Sequence, residues 1–318
     1  MHNTAFNIFV IIFHVVLTLA TLFGNCLVCA VIWRTRALRT VPNMIIFSLA
    51  LADLLMTSAF VYRVVNRMSG EESHSTCHAI SEIAFCTICV IILHLTAISI
   101  DRFIAIRFPL RYKTIVTGKR TKTALIATWL LPVIGTVVSP HSLPDAEYED
   151  FVDYYDSFHL CLSYHEHKFK NTSKIFAAII ISIYIVLPCT LTVGSYMYIL
   201  KVSRHQQLKL KHDAHLEGER MRKLEIKVAI TYGIIIGAFM ACFLPLLIGT
   251  LHQQFIGNDE REEMTRVMTI LSLIASISAC VNPVVYTCRN QEFRKAFKKI
   301  FKRGNQEIGN ELTTFSRY

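Results

Sequence analysis

The polar residues most able to carry chemistry in this 318-residue chain stand inside long apolar stretches. Asp53 follows Ser-Leu-Ala-Leu-Ala, and an ionisable side chain in such surroundings is costly, which makes it a candidate functional residue. Asn25 and Asn282 lie in similar stretches and could hydrogen-bond to it, and Ser278 adds a hydroxyl. Oxygen ligands of this kind suit hard cations. The cluster is therefore either a structural polar core or a sodium site that tunes switching, and both interpretations stay open.

The triplet Asp101-Arg102-Phe103 closes another apolar stretch. Arg102 could simply extend its long side chain to the membrane surface. It could also pair with Glu225, which begins a later stretch, and an outward swing of that segment would break the pair, so that a ligand could bias two states. The sequence contains no nucleophile beside a base, no phosphate-binding loop and no zinc motif. We therefore predict that the protein is not an enzyme and has no cofactor other than the sodium ion considered above.

The apolar stretches that position these residues are long enough to cross a membrane. The chain is 53% hydrophobic and 18% charged with a mean hydropathy of +0.43, which excludes a soluble enzyme, a disordered chain and a secreted disulfide scaffold. A membrane-crossing helix takes about 20 mostly apolar residues, and lipid does not tolerate irregular backbone. The sequence predicts an all-α membrane protein with seven spans, at 5–33, 44–62, 80–106, 123–138, 175–200, 226–251 and 267–286.

The basic residues predict how these spans are oriented. Most of the 33 lysines and arginines fall on one side of the predicted bundle, and the positive-inside rule makes that side cytoplasmic. Residues 1–5 are then extracellular, and residues 303–318 form a short cytoplasmic tail. Between the last span and the tail, residues 289–302 combine basic side chains with Phe293 and Phe297 at helical spacing, which predicts an amphipathic eighth helix on the inner leaflet. We expect a multi-pass plasma membrane protein with anionic lipids as partners.

Short motifs in register along the chain resemble those of rhodopsin-like (class A) G-protein-coupled receptors. They are Gly24-Asn25, Leu51-Ala52-Asp53, Asp101-Arg102-Phe103, Trp129, Pro188 with Tyr196, Cys242-Phe243-Leu244-Pro245 and Asn282-Pro283-Val284-Val285-Tyr286. The resemblance covers about residues 8–302 and implies a single seven-transmembrane receptor domain over 1–318. It further implies that an extracellular ligand activates a heterotrimeric G protein, with arrestin as a further partner and no nucleic acid.

The resemblance also implies roles for individual residues. The positions expected to serve G-protein coupling and switching are Asp101, Arg102, Glu225, Tyr196, Asn282, Pro283 and Tyr286. Phe103 and Phe243 depart from the family pattern, which has a tyrosine and a tryptophan there, so the ring at Phe243 has no N–H donor.

Two features of the predicted outer face complete the family pattern. In the family, the positions of Cys77 and Cys161 form a disulfide that ties the second outer loop to the third helix. Asn171-Thr172-Ser173 is an N-glycosylation sequon on the same face.

Register with the family also implies a ligand pocket. Its wall would consist of Ala84, Phe85, Ile88, Phe243, Leu246, Leu247, Thr250, Ser272 and Ser276. Ala84 replaces the aspartate of monoamine receptors, and the mostly apolar wall favours a small neutral ligand over an ion. The inner loop 109–120 resembles that of adenosine receptors, whereas Ser163, Thr250 and Ser276 replace residues with which those receptors bind adenosine. We therefore expect a nucleoside-like ligand or another small molecule in a changed pocket.

The second outer loop leaves other ligands open. Between Pro140 and Asn171 it holds seven carboxylates and four histidines, which could steer a basic peptide or respond to protons or metal ions, or could simply be solvated. A scavenger receptor that does not signal would be expected to carry damaged motifs. A transporter would be expected to carry several intramembrane charges or repeated halves, and Asp53 is the only intramembrane charge that we predict. Both alternatives are therefore less favoured than a signalling receptor.

Overall fold

The computed structural model describes residues 4–69, 74–138, 175, 178–209, 217–253, 261–289 and 292–299. Its long elements are seven helices: α1 Thr4–Arg34, α2 Val41–Ser69, α3 His74–Arg107, α4 Gly118–Val133, α5 Leu187–Lys209, α6 Glu217–Gln253 and α7 Arg261–Arg289. A shorter helix, α8, covers 292–299. The π-helical segment Ile134–Val138 extends α4, and the π-helical segment Ser182–Val186 leads into α5. The predicted seven-helix fold is confirmed.

The surface of the bundle has the character of a membrane protein. Among the described residues, six helices are each long and apolar enough to cross a membrane, and α4 reaches a comparable length only together with its π-helical extension. Large apolar side chains such as Ile12, Leu19 and Phe23 are exposed on α1, whereas Asn25 on the opposite face is buried. This arrangement reverses the soluble pattern, because lipid solvates apolar side chains and leaves polar groups to pair within the protein. The chain is a multi-pass membrane protein.

The helix α3 runs through the middle of the bundle. In its apolar stretch 67% of the residues are buried, against 33% in the corresponding stretch of α5. It packs against α2, α4, α5 and α6, while α1 packs against α2 and α7 and so closes the ring of helices. The residues that α3 carries can therefore contact most other elements.

A buried polar cluster joins α2, α3 and α4. His94 Nδ1 must donate to the Val90 carbonyl oxygen at 2.8 Å, so its Nε2 accepts from the Ser48 hydroxyl at 2.8 Å. Trp129 Nε1 donates to the same hydroxyl oxygen at 2.9 Å. Each polar group thus has a partner, as buried groups in lipid require.

The close packing of α1 against α7 depends on a glycine. A β-carbon added at Gly24 would lie 2.8 Å from Pro283 Cγ and 2.9 Å from Pro283 Cβ. We expect Gly24→Ala to lower the free energy of unfolding by about 1–3 kcal/mol, because the two helices would have to separate. The measurement is thermal unfolding of the purified protein in detergent. The matched control is Gly194→Ala, where no heavy atom lies within 4 Å of the added β-carbon. An unchanged Tm for Gly24→Ala would contradict the packing argument.

The end of α2 differs from the sequence prediction. The predicted span ends at residue 62, because the charge of Arg63 stops the apolar stretch, whereas the helix continues to Ser69. Hydrogen bonding of the backbone does not end at the hydrocarbon boundary, so the charged residues of this last part keep a helical register. Met56, Phe60, Arg63 and Arg67 therefore share one face of α2, since their spacing of three or four residues returns to the same side of a helix.

Candidate functional site

The middle of the bundle holds the predicted polar core. Asp53 is 1% exposed, and Asn282 Nδ2 donates to its Oδ2 at 2.8 Å, joining α2 to α7. Asn25 Nδ2 instead donates to two backbone carbonyls, those of Thr21 and Ala279, both at 3.1 Å. The bond to Ala279 ties α1 to α7. The structure therefore brings Asn282 to Asp53, while Asn25 serves the neighbouring helix contact.

The Ser278 hydroxyl donates to the Ala275 carbonyl at 2.7 Å and also lines the cavity above the polar core. Its oxygen, which keeps both lone pairs, has no hydrogen bond to accept within the part of the chain that the structure describes and could bind a cation.

The inner end of α3 carries a buried ion pair, which we call the Arg102 clasp and define by Asp101, Arg102, Tyr112 and Tyr232. Arg102 Nε donates to Asp101 Oδ2 at 2.8 Å, and the Tyr112 hydroxyl donates to Asp101 Oδ1 at 2.7 Å. The guanidinium carbon lies 5.7 Å from the ring centre of Tyr232 on α6, within the range of a cation–π contact. The clasp therefore connects α3, the inner loop and α6.

The predicted partner of Arg102 was Glu225, whose side chain lies outside the described residues. Tyr232 follows Glu225 by two helical turns, so the two residues share a face of α6. That spacing is the sequence signal that could have pointed to Tyr232. For Tyr112 the signal was weaker, because a position in the inner loop does not show which helix end its side chain will contact.

Two further tyrosines predicted to serve switching carry buried hydroxyls. Within the described ranges, neither the Tyr196 hydroxyl on α5 nor the Tyr286 hydroxyl on α7 has a hydrogen-bond partner. The Tyr286 ring lies 6.4 Å from that of Tyr232 and 5.8 Å from that of Phe293, so it connects α6 with α8. A buried hydroxyl without a hydrogen-bond partner raises the free energy of the folded protein. A second arrangement of the helices in which both hydroxyls have partners would avoid that cost.

The eighth helix packs against the bundle. Phe293 and Phe297 are buried and belong to the central apolar cluster, whereas Arg294, Lys295 and Lys298 are exposed. The predicted amphipathic pattern thus holds over 292–299, with its apolar face turned to α7. The remainder of the predicted helix, from 300 to 302, lies outside the described residues.

A cavity opens above the polar core, between α2, α3, α6 and α7. Five of the nine predicted pocket residues line it: Ile88, Phe243, Leu246, Ser272 and Ser276. Phe243 stacks on Phe239 with ring centres 5.4 Å apart, so the ring at the departing motif position packs within an aromatic pair.

The other four predicted pocket residues lie beside the cavity rather than on its wall. Ala84 packs against Ala59, Phe85 is buried in the central apolar cluster, and Leu247 packs against that cluster from outside. The Thr250 hydroxyl donates to the Leu246 carbonyl at 2.9 Å.

Among the cavity residues that the sequence prediction missed, one is charged, although Asp53 was predicted to be the only intramembrane charge. Arg63 lines the cavity, and its Nη1 donates to the Ser272 hydroxyl on α7 at 2.9 Å. The hydropathy pattern did not identify Arg63 as a cavity residue, because a charged residue that ends an apolar stretch is assigned to the following loop. Its helical spacing from Met56 and Phe60, which also line the cavity, was the signal that could have found it. The wall consequently carries a positive charge that was not predicted.

Several predicted features fall on residues that the structure does not describe. The Cys77 side chain, Cys161, Asn171 and the acidic outer loop between 140 and 171 all belong to this group. Within the described ranges, no cluster of three or more histidine, cysteine, aspartate or glutamate side chains could hold a metal ion.

Comparison with known proteins agrees with this geometry. Residues 24–286 match the family described as 7 transmembrane receptor (rhodopsin family). The histamine H2 receptor of Cavia porcellus is 24% identical over 306 residues, which cover 95% of this chain and 81% of the relative. The adenosine receptor A2b of Gallus gallus is 26% identical, over 92% of this chain and 88% of the relative. The adenosine receptor A2a of Homo sapiens is 30% identical, over 88% of this chain and 69% of the relative. Because the family match spans most of the chain and includes its motif residues, the chain belongs to the rhodopsin family of seven-transmembrane receptors.

Proposed function

We propose that the protein converts binding of an extracellular small molecule into activation of a heterotrimeric G protein. The observation that carries this proposal is the Arg102 clasp, in which one buried arginine contacts the inner loop and α6 at the same end of the bundle. A movement of α6 away from α3 would release the guanidinium from Tyr232 and change the inner surface. A ligand that binds the cavity between α3, α6 and α7 could favour either arrangement, because the same helices form both sites.

The charges on the inner face support this assignment. In the loop between α3 and α4 and at its two ends, Arg107, Arg111, Lys119 and Arg120 are exposed, as is Lys113. Together with the basic face of α8, they form a surface suited to anionic lipid and to a docked G protein. We infer a plasma membrane receptor with this face in the cytoplasm and the N-terminus outside, and with arrestin as a further partner.

The same orientation puts the Asn171 sequon, Cys77 and Cys161 on the outer side. We propose that Cys77 and Cys161 form a disulfide and that Asn171 carries a glycan. Enzymatic removal of N-glycans from the protein made in animal cells tests the orientation, since a mobility change that Asn171→Gln abolishes requires this loop to lie outside.

The most direct test of the function is receptor-stimulated nucleotide exchange. The purified full-length protein is reconstituted in lipid vesicles with heterotrimers that raise cyclic AMP, lower cyclic AMP or release calcium. We expect exchange above that of receptor-free vesicles with at least one of them, and more exchange for an Asp101→Asn variant, in which the Arg102 clasp is weakened. If neither protein stimulates any heterotrimer, the coupling proposal fails.

The pocket also bears on the chemical class of the ligand. The similar receptors are named for histamine and for adenosine. A protonated amine would lack a counter-ion at Ala84 and would meet the positive charge of Arg63, so we infer that the ligand is not an amine. The expectation of a neutral ligand was based on an apolar wall that did not include Arg63. The positive charge of Arg63 favours a ligand with an acidic group.

We propose that a sodium ion binds at Asp53. The carboxylate has no cationic partner among the described residues. The Ser278 hydroxyl, one helical turn before Asn282 on α7, can accept, so one anionic group and one neutral oxygen suit a hard monovalent cation. We expect sodium chloride to raise the Tm of the purified protein relative to choline chloride at equal ionic strength. At ten times the Kd, bound sodium would add about 1.4 kcal/mol to the free energy of unfolding. Asp53→Asn should abolish the difference. Equal sodium effects in the two proteins would rule out this site.

A further inference from the structure

We infer that the ligand carries an acidic group, a carboxylate on a mostly apolar body, and that this group pairs with Arg63 at the outer end of the cavity. This inference rests on the proposed receptor function and makes it more specific. It starts from a cation that α2 directs into a mostly apolar pocket.

Arg63 is held in place by two neutral groups. Its Nη1 donates to Ser272 Oγ at 2.9 Å and lies 3.4 Å from His14 Nε2 on α1. The Ser272 hydroxyl in turn donates to the Thr269 carbonyl at 2.8 Å, which fixes its position. The guanidinium is thus oriented by α1 and α7 before any ligand arrives, an arrangement that lowers the cost of binding.

The contacts of Arg63 leave most of its donors unused. Within the described part of the chain, its Nε is buried without a hydrogen-bond partner, and Nη2 forms no bond either. An arginine offers five N–H donors in a planar fork that matches the two oxygens of a carboxylate. The protein therefore uses only the Nη1 donors of Arg63, and the Nε and Nη2 donors remain available to a bound group.

No described acidic residue neutralises this charge. The ion pairs found among the described residues involve Asp101 and Glu292, which belong to the inner end and to α8. His14 Nδ1 donates to the Val10 carbonyl at 3.0 Å, so the Nε2 that faces Arg63 is an acceptor and the ring is neutral. An unpaired charge in an apolar site is costly, and an anionic ligand would remove that cost.

The dimensions of the cavity indicate how the ligand would lie. The cavity measures about 50 Å³, which is room for a compact group rather than for a whole ligand. Its other walls include Ile88, Phe243 and Leu246, which are apolar. A carboxylate can enter beside Arg63 and Ser272, while the apolar body contacts α3 and α6, whose separation the proposed mechanism changes.

Matched acids and amides test the inference without a known ligand. The probes are butyrate, benzoate and 3-phenylpropionate, each compared with its neutral amide, and the measurement is thermal unfolding of the purified full-length receptor over a concentration series. We expect at least one acid to raise the Tm in a saturable manner and its amide to have no such effect. We expect Arg63→Gln to weaken that acid at least tenfold.

The controls separate loss of the charge from loss of the fold. Arg67→Gln removes the next cation along α2, which bonds to Asn7 Oδ1 at 2.9 Å outside the cavity, and should leave the acid affinity within threefold of wild type. Arg63→Lys keeps the charge without the fork and should give an intermediate affinity, and it replaces Arg63→Gln if that variant does not fold. The inference is overturned if no acid stabilises the wild type, if acid and amide act equally, or if the Arg63 variants retain wild-type affinity.

This assay does not involve a G protein, so the two proposals can fail separately. An acid could stabilise the receptor through Arg63 and yet leave nucleotide exchange unchanged for every heterotrimer tested. That result would support the acid site and count against coupling. Exchange that the Asp101→Asn variant stimulates, together with no acid binding, would support coupling and overturn the acid site.

Discussion

Replacing Asp101 with asparagine is expected to raise ligand-independent nucleotide exchange by about ten- to a hundredfold. The Asp101 carboxylate accepts bonds from Arg102 and from Tyr112, and both partners would lose a charged acceptor. Hydrogen bonds to charged groups contribute about 1.5–3 kcal/mol, and a change of 1.4 kcal/mol shifts an equilibrium tenfold. We assign the closed clasp to the resting state, because it holds Arg102 against its own helix and beneath Tyr232.

The measurement is exchange in vesicles that contain equal amounts of folded receptor. Tyr112→Phe serves as a graded control, since it removes the hydroxyl that donates to Asp101 and accepts from Arg102 but keeps the Asp101–Arg102 pair, and it should raise exchange by a smaller factor. If Asp101→Asn leaves basal exchange at the wild-type level while surface expression is normal, the clasp does not restrain the receptor.

Replacing Arg102 with alanine should abolish nucleotide exchange, with a loss of about a hundredfold or more. Arg102 contacts both Tyr112 of the inner loop and Tyr232 of α6, and the resemblance implies that the same side chain contacts the G protein once it is released. Alanine retains neither the charge nor the reach of the guanidinium, so the active arrangement would lack its contact with the partner. The loss corresponds to about 3 kcal/mol at 1.4 kcal/mol per tenfold.

Because the ligand is not identified, the substitution is best made in the Asp101→Asn background, where exchange is expected to be high. Arg107→Ala is the matched control, since Arg107 is an exposed arginine at the end of the same helix. Removal of the Asp101–Arg102 pair as a whole leaves no unpaired buried charge, so surface expression should be largely preserved. Undiminished exchange in the double variant would remove Arg102 from the coupling mechanism.

The fold of this protein was accessible from the sequence because the membrane imposes a local rule. Six of the seven stretches form helices that are apolar over the length of a bilayer, and lipid allows little other than helix, so no knowledge of distant contacts was required. The pairing of Asp53 with Asn282 could also be anticipated, since few groups in such stretches can satisfy a buried carboxylate. The motifs, taken in order, were sufficient to indicate the family.

The details of the sites needed the three-dimensional arrangement. Asn25, like Asn282, stands in an apolar stretch, yet it bonds to a backbone carbonyl of α7 and not to Asp53. The direction of a side chain depends on how each helix is rotated in the bundle. Tyr112 and Tyr232 contact Arg102 from a loop and from another helix, and only the contact of Tyr232 has a sequence signal, its spacing of two helical turns from Glu225.

Arg63 shows the difference between what the sequence determines and what only the tertiary structure decides. The sequence by itself determined that the chain forms a seven-helix membrane bundle, that Asp53 and Asn282 occupy its interior and that Arg102 lies at the end of an apolar stretch, because hydropathy and charge are properties of each segment alone. Only the tertiary structure decided that Arg63 faces the cavity and bonds to Ser272, residues 209 positions apart, because that depends on the rotation and packing of α2 against α7. The expected ligand changed with it, from a neutral molecule to an acid.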